Sequence, residues 1–192
     1  MIHNQPPAQG FSTSRNQSDL RPISLTCTLA KVTEGFTRSG LMVQISEKLD
    51  PHQYARQSTT DTLIYILLAI HEATDRGNCG ARMFFANYSK GFDLIDHSIL
   101  LRKLAFFHID TVLINWIRAF LTGRSQAVKD WKLASLSDWK SPRGGIPQGT
   151  KLGVILFAVM TNNSLHDWHL RIKFIDDTTA LEILPRSGII AY

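Results

Sequence analysis

The chain has 192 residues, a formal net charge of +5, and 44% hydrophobic residues. This length and composition are typical of one globular domain or a large piece of one, and the mild basic excess permits a nucleic-acid partner without demonstrating one. The longest apolar run, residues 154–160, is too short to cross a bilayer, and the N-terminus lacks the pattern of a signal peptide. We therefore expect an intracellular protein, in the cytoplasm or nucleus, that is not secreted and has no membrane partner.

Apolar spacing and turn formers predict an α+β chain. Residues 1–17 are rich in Asn, Gln, Ser and Pro, which is typical of a poorly ordered tail. The predicted elements in chain order are an extended segment at 21–25, a helix to about Leu49, a helix opened by Ser58, a strand at 81–86, helices at about 97–106 and 111–121, two short strands within 125–140, a helix from Gly149 to about Asn163, and a closing hairpin at 170–184. This order predicts a small, mostly antiparallel sheet backed by helices.

The closing hairpin carries two adjacent acids, Asp176 and Asp177, between two β-favouring segments. At a tight turn two carboxylates can converge, and their repulsion is relieved when a cation lies between them. Mg²⁺ takes oxygen ligands and is commonly held by one or two carboxylates plus substrate phosphates. The pair is therefore a candidate metal site for phosphoryl chemistry, although Asp is also common in turns that bind nothing.

Three separated blocks extend this pattern: residues 84–97, residues 144–153, and the Phe-Ile-Asp-Asp segment at 174–177. In order and approximate spacing they closely resemble the three palm motifs of reverse transcriptases, specifically those of non-LTR (LINE-type) retrotransposons. Supporting matches lie at 21–25, 58–61, 98–104 and 120–126. The resemblance covers about residues 18–188 and implies a partial reverse transcriptase domain at 18–192, with fingers at about 18–80 and palm at about 81–192.

The resemblance implies an RNA-directed DNA polymerase that uses two Mg²⁺ ions, with an RNA template, a DNA primer and nucleoside triphosphates as its partners. Asp176 matches the first hairpin metal ligand of the family and Asp177 its neighbour. The position that matches the strand-end aspartate is Asn87, which brings an amide where the family has a charge. Because one such electrostatic group typically contributes about 100-fold or more in rate, we expect catalysis to be impaired or absent.

The resemblance also implies four nucleotide-binding residues. Phe92 matches the bulky residue that screens the nucleotide 2′-hydroxyl, with a core aromatic as its alternative role. Gln148 and Gly149 match a Pro-Gln-Gly turn that contacts the incoming nucleotide. Their alternative role is a glycine-rich start of a helix and nothing more. Arg56 matches a basic fingers residue that helps to hold triphosphate, but its loop is several residues shorter than in the family.

Two activities therefore remain open. The first is an enzyme with residual polymerisation, and the second is a non-catalytic retrotransposon remnant with at most weak nucleic-acid binding. The chain ends at Tyr192, soon after the hairpin, so the resemblance implies that the thumb is missing or that the protein continues further. The sequence does not indicate an oligomeric state.

Overall fold

The computed structural model describes residues 2–3, 23–54, 59–75, 79–130 and 135–185. Within these residues the chain forms five helices and seven strands, and the α+β class expected from the sequence is confirmed. The helices are α1 Thr28–Ile45, α2 Thr59–Asp75, α3 His97–Phe106, α4 Thr111–Leu121 and α5 Gly153–Thr161. The strands are β1 Ile2–His3, β2 Ile23–Ser24, β3 Cys79–Asn87, β4 Val128–Asp130, β5 Ser135–Leu136, β6 Leu170–Phe174 and β7 Asp177–Pro185.

The chain divides into two compact units. Unit 1 comprises Met1–Ser46 and Phe92–Leu156, and unit 2 comprises Glu47–Gly91 and Phe157–Tyr192. Each unit draws on both parts of the sequence, and the assignment of fingers and palm to residues 18–80 and 81–192 stays a prediction. No helix of the described residues is both long and apolar enough to cross a membrane.

Unit 1 holds a sheet of short strands in the order β2-β1-β4-β5, with β1 antiparallel to β2 and parallel to β4. Strand β1 lies within the tail predicted at 1–17, and the other residues of that tail lie outside the described residues. The unit is packed by the apolar faces of its helices, where the repeat of three and four residues places one stripe inward. The buried residues of that stripe are Leu41, Ile45, Leu100, Leu104, Ile114, Ile117 and Leu121.

Two helices of unit 1 begin where the sequence predicts, because an aspartate caps each of them. The Asp96 carboxylate accepts hydrogen bonds from the backbone amides of Ser98 and Ile99, and the Asp110 carboxylate accepts one from Val112. These bonds satisfy amide groups that a helix start leaves without partners. The Ser98 hydroxyl and these amides also hold the pKa of Asp96 below its usual range.

Two helix boundaries differ from the prediction. Helix α1 ends at Ile45 instead of near Leu49, and Leu49 and Asp50 are buried beyond it. Helix α5 begins at Gly153 instead of Gly149, because Gly149 has a φ of +83° and the Thr150 hydroxyl accepts a hydrogen bond from the Gly153 amide. The Pro-Gln-Gly turn therefore stands apart from the helix it precedes.

Unit 2 contains the antiparallel sheet that carries the acidic hairpin. Its strand order is β3-β7-β6, so β7 is central and β6 lies at one edge. Helix α2 accompanies β3 in this unit, and the Ser58 cap predicted for it lies outside the described residues. Strand β3 runs through Asn87, one residue further than the sequence predicts, and this extension places Asn87 inside the sheet register.

Candidate functional site

One end of the unit 2 sheet gathers the three residues that the sequence assigned to metal chemistry. Asn87 is the last residue of β3 and pairs directly with Asp177, the first residue of β7. The Tyr88 amide donates a hydrogen bond of 3.1 Å to the backbone carbonyl of Asp176. Residues directly opposite on antiparallel strands share a face, with their Cβ atoms about 4.5–5.5 Å apart. The amide side chain of Asn87 therefore lies beside the acidic turn.

The turn itself holds backbone strain. Phe174 pairs with Asp177, which leaves Ile175 and Asp176 as the two residues of the loop. Ile175 has a φ of +55°, a region that β-branched residues rarely adopt. Such a conformation costs about 1–3 kcal/mol and persists only where the surrounding structure imposes it. The strands that flank the turn therefore fix the position of the two acids.

The acidic pair is accessible, and no described residue of unit 2 pairs with its carboxylates. Asp176 is half-buried and Asp177 is exposed. Among the described residues of unit 2, neither carboxylate takes part in a hydrogen bond or a salt bridge. Both oxygen groups are therefore available to a hard cation.

The donor set at this end of the sheet fits a divalent cation only in part. No group of three His, Cys, Asp or Glu side chains placed to hold a metal occurs in the part of the chain that the structure describes. Asp176 and Asp177 supply two carboxylates, and Asn87 can add an uncharged carbonyl oxygen. This set matches the pattern of Mg²⁺ sites that rely on substrate phosphates for their remaining ligands.

A cleft of about 450 Å³ opens beside the acids in unit 2. Helix α2 forms one wall, and the ends of β3, β6 and β7 form the other. Its lining residues are Thr59, Thr62, Leu63, Ile66, Phe85, Ala86, Asn87, Phe174, Asp177, Thr178 and Thr179. Phe85 is 69% exposed and contributes an open aromatic surface to this wall. The cleft therefore combines apolar surface with the Asn87 amide and the Asp177 carboxylate.

Three of the four predicted nucleotide-binding residues lie in unit 1. The backbone carbonyl of Phe92 accepts a hydrogen bond of 2.7 Å from the Ile146 amide, and the carbonyl of Gln148 accepts one of 2.9 Å from the Ser24 amide. A Cβ atom at Gly145 would lie 2.8 Å from the Asp93 carbonyl, so the two loops approach as closely as glycine permits. The segments that carry Phe92 and Gln148 therefore form one packed pair of loops.

The position of Gly149 fits an exposed turn. Its φ of +83° is one that glycine adopts without strain, and a Cβ atom there would lie 3.1 Å from the Ile23 side chain. The fourth residue, Arg56, lies outside the described residues. Its predicted role in holding triphosphate stays a prediction.

Gln148 lies in the wall of a second cleft, of about 380 Å³, in unit 1. Arg124 and Asp93 line the same cleft. The guanidinium carbon of Arg124 lies 5.1 Å from the centroid of the Phe120 ring, and burial lowers the pKa of Arg124. The Phe120 ring face therefore attracts the half-buried guanidinium of Arg124.

Sequence reasoning missed two buried polar anchors, one in each unit. Glu34 is 1% exposed, and its carboxylate accepts a hydrogen bond of 2.9 Å from the Lys151 amide, two residues beyond Gly149. The signal was present, because Glu34 lies in register with the buried stripe of Thr37, Leu41 and Ile45 on α1. A carboxylate on the apolar face of a helix indicates a buried partner.

The second anchor is in unit 2, where Lys173 is fully buried three residues before Asp176. Its ammonium group donates to the Asp50 carboxylate at 2.7 Å and to the Asn162 carbonyl at 2.6 Å. The alternation of Arg171 and Lys173 along β6 marked one polar strand face in the sequence. Nothing in the sequence around Asp50 indicated that it would meet that face.

Two telomerases are among the solved structures that share the fold. Telomerase from Candida albicans, in complex with a TWJ fragment of telomeric RNA, is 16% identical with a TM-score of 0.59 over 83% of this chain and 31% of that chain. Apo telomerase from Candida tropicalis, truncated from its C-terminal domain, is 12% identical with a TM-score of 0.60 over 84% of this chain and 41% of that chain. The chain thus spans less than half the length of either telomerase. These likenesses show that the chain shares the α+β fold of that part of the two telomerases.

The family follows from the sequence itself. The profile of the reverse transcriptase (RNA-dependent DNA polymerase) family matches residues 9–182, which is nearly the whole chain. The chain belongs to that family. None of the curated proteins matches it.

Proposed function

We propose that this chain is the fingers and palm portion of a non-LTR (LINE-type) retrotransposon reverse transcriptase in which Asn87 impairs or abolishes nucleotidyl transfer. The subclass is supported by the blocks at 84–97, 144–153 and 174–177 and by the matches that accompany them. The single observation that carries the loss of activity is the direct pairing of Asn87 with Asp177 at the end of β3.

In this proposal the acidic turn holds the divalent ions. Asp176 and Asp177 are the metal ligands, and Asn87 is the degenerate third position. When bound, two Mg²⁺ ions stabilise the attacking and leaving oxygens of an in-line displacement at the α-phosphate. The protein's own contribution is to hold two carboxylates at a strained turn, so that they are in place before substrate arrives.

Asn87 weakens this arrangement for an electrostatic reason. A nucleoside triphosphate and two divalent ions bring large opposing charges that the protein must balance. Replacing a carboxylate by an amide keeps an oxygen donor but removes one negative charge from a site with few ligands. Both metal binding and stabilisation of the transition state are weakened, because each depends on that charge.

The remaining predicted residues act on the nucleotide and on nucleic acid. Phe92 screens the 2′-hydroxyl, Gln148 and Gly149 contact the incoming nucleotide, and Arg56 pairs with triphosphate. An RNA template, a DNA primer and nucleoside triphosphates are the expected partners, and the net charge of +5 favours phosphate binding. The protein is expected in the cytoplasm or the nucleus.

The alternative function is a non-catalytic remnant that binds nucleic acid weakly. Asn87 favours it, because a polymerase fold that has lost a metal ligand can retain its basic surface. The two functions differ in one observable, which is incorporation of nucleotides at a primer terminus.

The test is primer extension on an RNA template with Mg²⁺ or Mn²⁺, comparing the natural protein with Asn87→Asp. We expect the variant to extend the primer about 100-fold faster or more, since it restores one electrostatic group. Asn87→Asp combined with Asp176→Asn should lose the gain. Asn115→Asp adds the same charge at an exposed position of α4 and should leave the rate unchanged.

If Asn87→Asp is as inert as the natural protein, Asn87 is not what limits the reaction. Salt-dependent RNA binding without incorporation by either protein would then support the remnant. Extension by the natural protein at the rate of the variant would refute the proposed loss of activity.

A further inference from the structure

A buried ionic cluster lies behind the acidic turn in unit 2. Its members, hereafter the Asp50 cluster, are Asp50, Asn162, Arg171 and Lys173. The Asp50 carboxylate accepts four hydrogen bonds: two from the Arg171 guanidinium at 2.7 and 3.0 Å, one from Lys173 at 2.7 Å, and one from the His52 amide at 3.0 Å. The side chains of Asp50 and Lys173 are 1% and 0% exposed. Every acceptor position of this carboxylate is therefore used.

The cluster joins three segments that are distant in the sequence. The Asp50 amide donates a hydrogen bond of 2.7 Å to the side-chain oxygen of Asn162, which directly follows α5. Lys173 donates to the Asn162 carbonyl. Asp50 thus links strand β6 to the end of α5, because its carboxylate accepts hydrogen bonds from β6 while its backbone amide donates one to Asn162.

The same segment also closes the edge of the sheet. Strand β6 is an edge strand, and its outer side would expose backbone groups. The Lys173 amide donates a hydrogen bond of 2.9 Å to the His52 carbonyl, and Gln53 forms a parallel bridge with Lys173. The backbone of Lys173 is therefore held on the edge side by the residues that follow Asp50, while its side chain is held by Asp50 itself.

Only Phe174 separates the acidic turn from this anchored residue. Phe174 ends β6, Ile175 has the strained φ, and Asp176 follows. A strained turn keeps its geometry only when the strands at its base cannot relax. Lys173 is the last residue of β6 before Phe174, and the cluster holds it from two directions.

We propose that Asp50 is a positioning residue that fixes the Asp176–Asp177 turn through Lys173 and Arg171. The consequence for metal binding rests on the proposed function, since it assumes that the two acids are metal ligands. The mechanical part stands without that assumption. It predicts that loss of the Asp50 charge loosens the turn more than it loosens the rest of the sheet.

A buried ion pair fixes the orientation of a strand more strictly than an apolar contact does. Buried ion pairs add little net stability over well-packed apolar residues, because desolvation offsets their attraction. They do fix orientation, since a carboxylate with four donors accepts only one arrangement of those donors. The cluster thus fixes the orientation of β6 at the base of the turn, and that orientation determines where the two acids lie.

The first experiment measures amide hydrogen exchange of Asp50→Asn in the full chain. We expect exchange at residues 175–178 to speed up at least tenfold more than at residues 83–85 of β3, which serve as the reference. Leu49→Ala is the matched control, because Leu49 is the buried sequence neighbour of Asp50 and carries no charge. In the control, turn and reference should accelerate by equal factors.

Equal acceleration of turn and reference in Asp50→Asn would overturn the proposal. If Asp50→Asn does not fold, Arg171→Met replaces it, since this variant removes two of the four hydrogen bonds and leaves the Lys173 contact in place. The same selective acceleration is expected at a smaller factor, and its absence overturns the proposal as well.

The second experiment measures Mn²⁺ affinity by electron paramagnetic resonance. We expect Asp50→Asn to bind at least threefold more weakly than the natural protein at a temperature where both are folded, and Leu49→Ala to bind equally well. Asp176→Asn with Asp177→Asn should abolish the binding. If that double variant binds as well as the natural protein, the proposed metal site is wrong, while the exchange result still decides the positioning role.

Discussion

Removing the Asp50 charge is the perturbation whose energetic cost the structure defines most sharply. Asp50→Asn keeps one acceptor oxygen for the His52 amide but leaves the buried ammonium of Lys173 without a carboxylate. Breaking a buried pair in this way typically costs about 3–5 kcal/mol, because one charge stays desolvated and uncompensated. That is a large share of the roughly 5–15 kcal/mol that stabilises an ordinary domain. We therefore expect the midpoint of urea unfolding to fall steeply.

The assay is urea unfolding at pH 7, followed by circular dichroism, for Asp50→Asn, Lys173→Met and their combination. The combined variant removes both charges and should be more stable than the sum of the single losses predicts, with a coupling of about 1–3 kcal/mol. Asp75→Asn is the control, because Asp75 pairs with His71 on the surface with 68% of its side chain exposed. Its loss should cost less than about 0.5 kcal/mol.

The same cluster predicts a dependence on pH. Burial raises the pKa of Asp50, but hydrogen bonds from Arg171 and Lys173 outweigh it and hold that pKa well below the usual range. A lowered carboxyl pKa adds stability that is present above about pH 3.9 and is lost as the pH falls further. The stability gap between the natural protein and Asp50→Asn should therefore narrow below about pH 4. Three results would refute the reasoning. Asp50→Asn could lose less than about 1 kcal/mol of unfolding free energy at pH 7, or the losses of the two single variants could add up to the loss of the combined variant. The third is a difference in stability between the natural protein and Asp50→Asn that is the same at pH 3 as at pH 7.

Three further predictions concern other sites. Gly145→Ala should destabilise unit 1 by more than about 1 kcal/mol in urea unfolding, because its φ is +83° and a Cβ atom would lie 2.8 Å from the Asp93 carbonyl. Gly40→Ala should stabilise by about 0.5–1 kcal/mol, since a Cβ atom there meets nothing within 4 Å inside α1; a loss of stability would contradict this. Burial lowers the pKa of His52, so stability should fall as the pH drops below about 6.5, and His52→Phe should flatten that slope.

The order of the elements could be predicted from the sequence because local signals mark most of their ends. Asp96 and Asp110 cap α3 and α4 with hydrogen bonds to residues two or three positions along, and α4 follows the predicted range of 111–121. The closing hairpin follows from two β-favouring runs around a short acidic turn. Local chemistry decides each of these features, so no knowledge of distant contacts was needed.

The two helix boundaries that were wrong have different causes, one distant along the chain and one local. The end of α1 differs from the prediction where Leu49 and Asp50 enter the core and Asp50 meets β6, more than a hundred residues later. The start of α5 depends on the φ of Gly149 and on the Thr150 hydroxyl, which compete with a helix start at the Pro-Gln-Gly turn. No pattern in the residues around Asp50 indicates its contact with β6.

The candidate site also has features that the sequence predicts and features that only the folded chain shows. Pattern and resemblance located Asn87, Asp176 and Asp177, and the strand register places them at one end of the sheet. The strain at Ile175 and the cluster that holds Lys173 are properties of the folded chain. They arise because a turn of defined geometry needs support that short-range sequence signals do not encode.

The central claim is that Asn87 stands where a metal-binding carboxylate is needed. The most direct test is the Mn²⁺ affinity of the natural protein against Asn87→Asp, measured by electron paramagnetic resonance at fixed ionic strength, with Asn115→Asp as the charge control. A restored carboxylate beside Asp177 should tighten binding by about tenfold or more, since one added charge at close range is worth more than about 1.4 kcal/mol near a protein surface. Equal affinities for the natural protein and Asn87→Asp would contradict the claim.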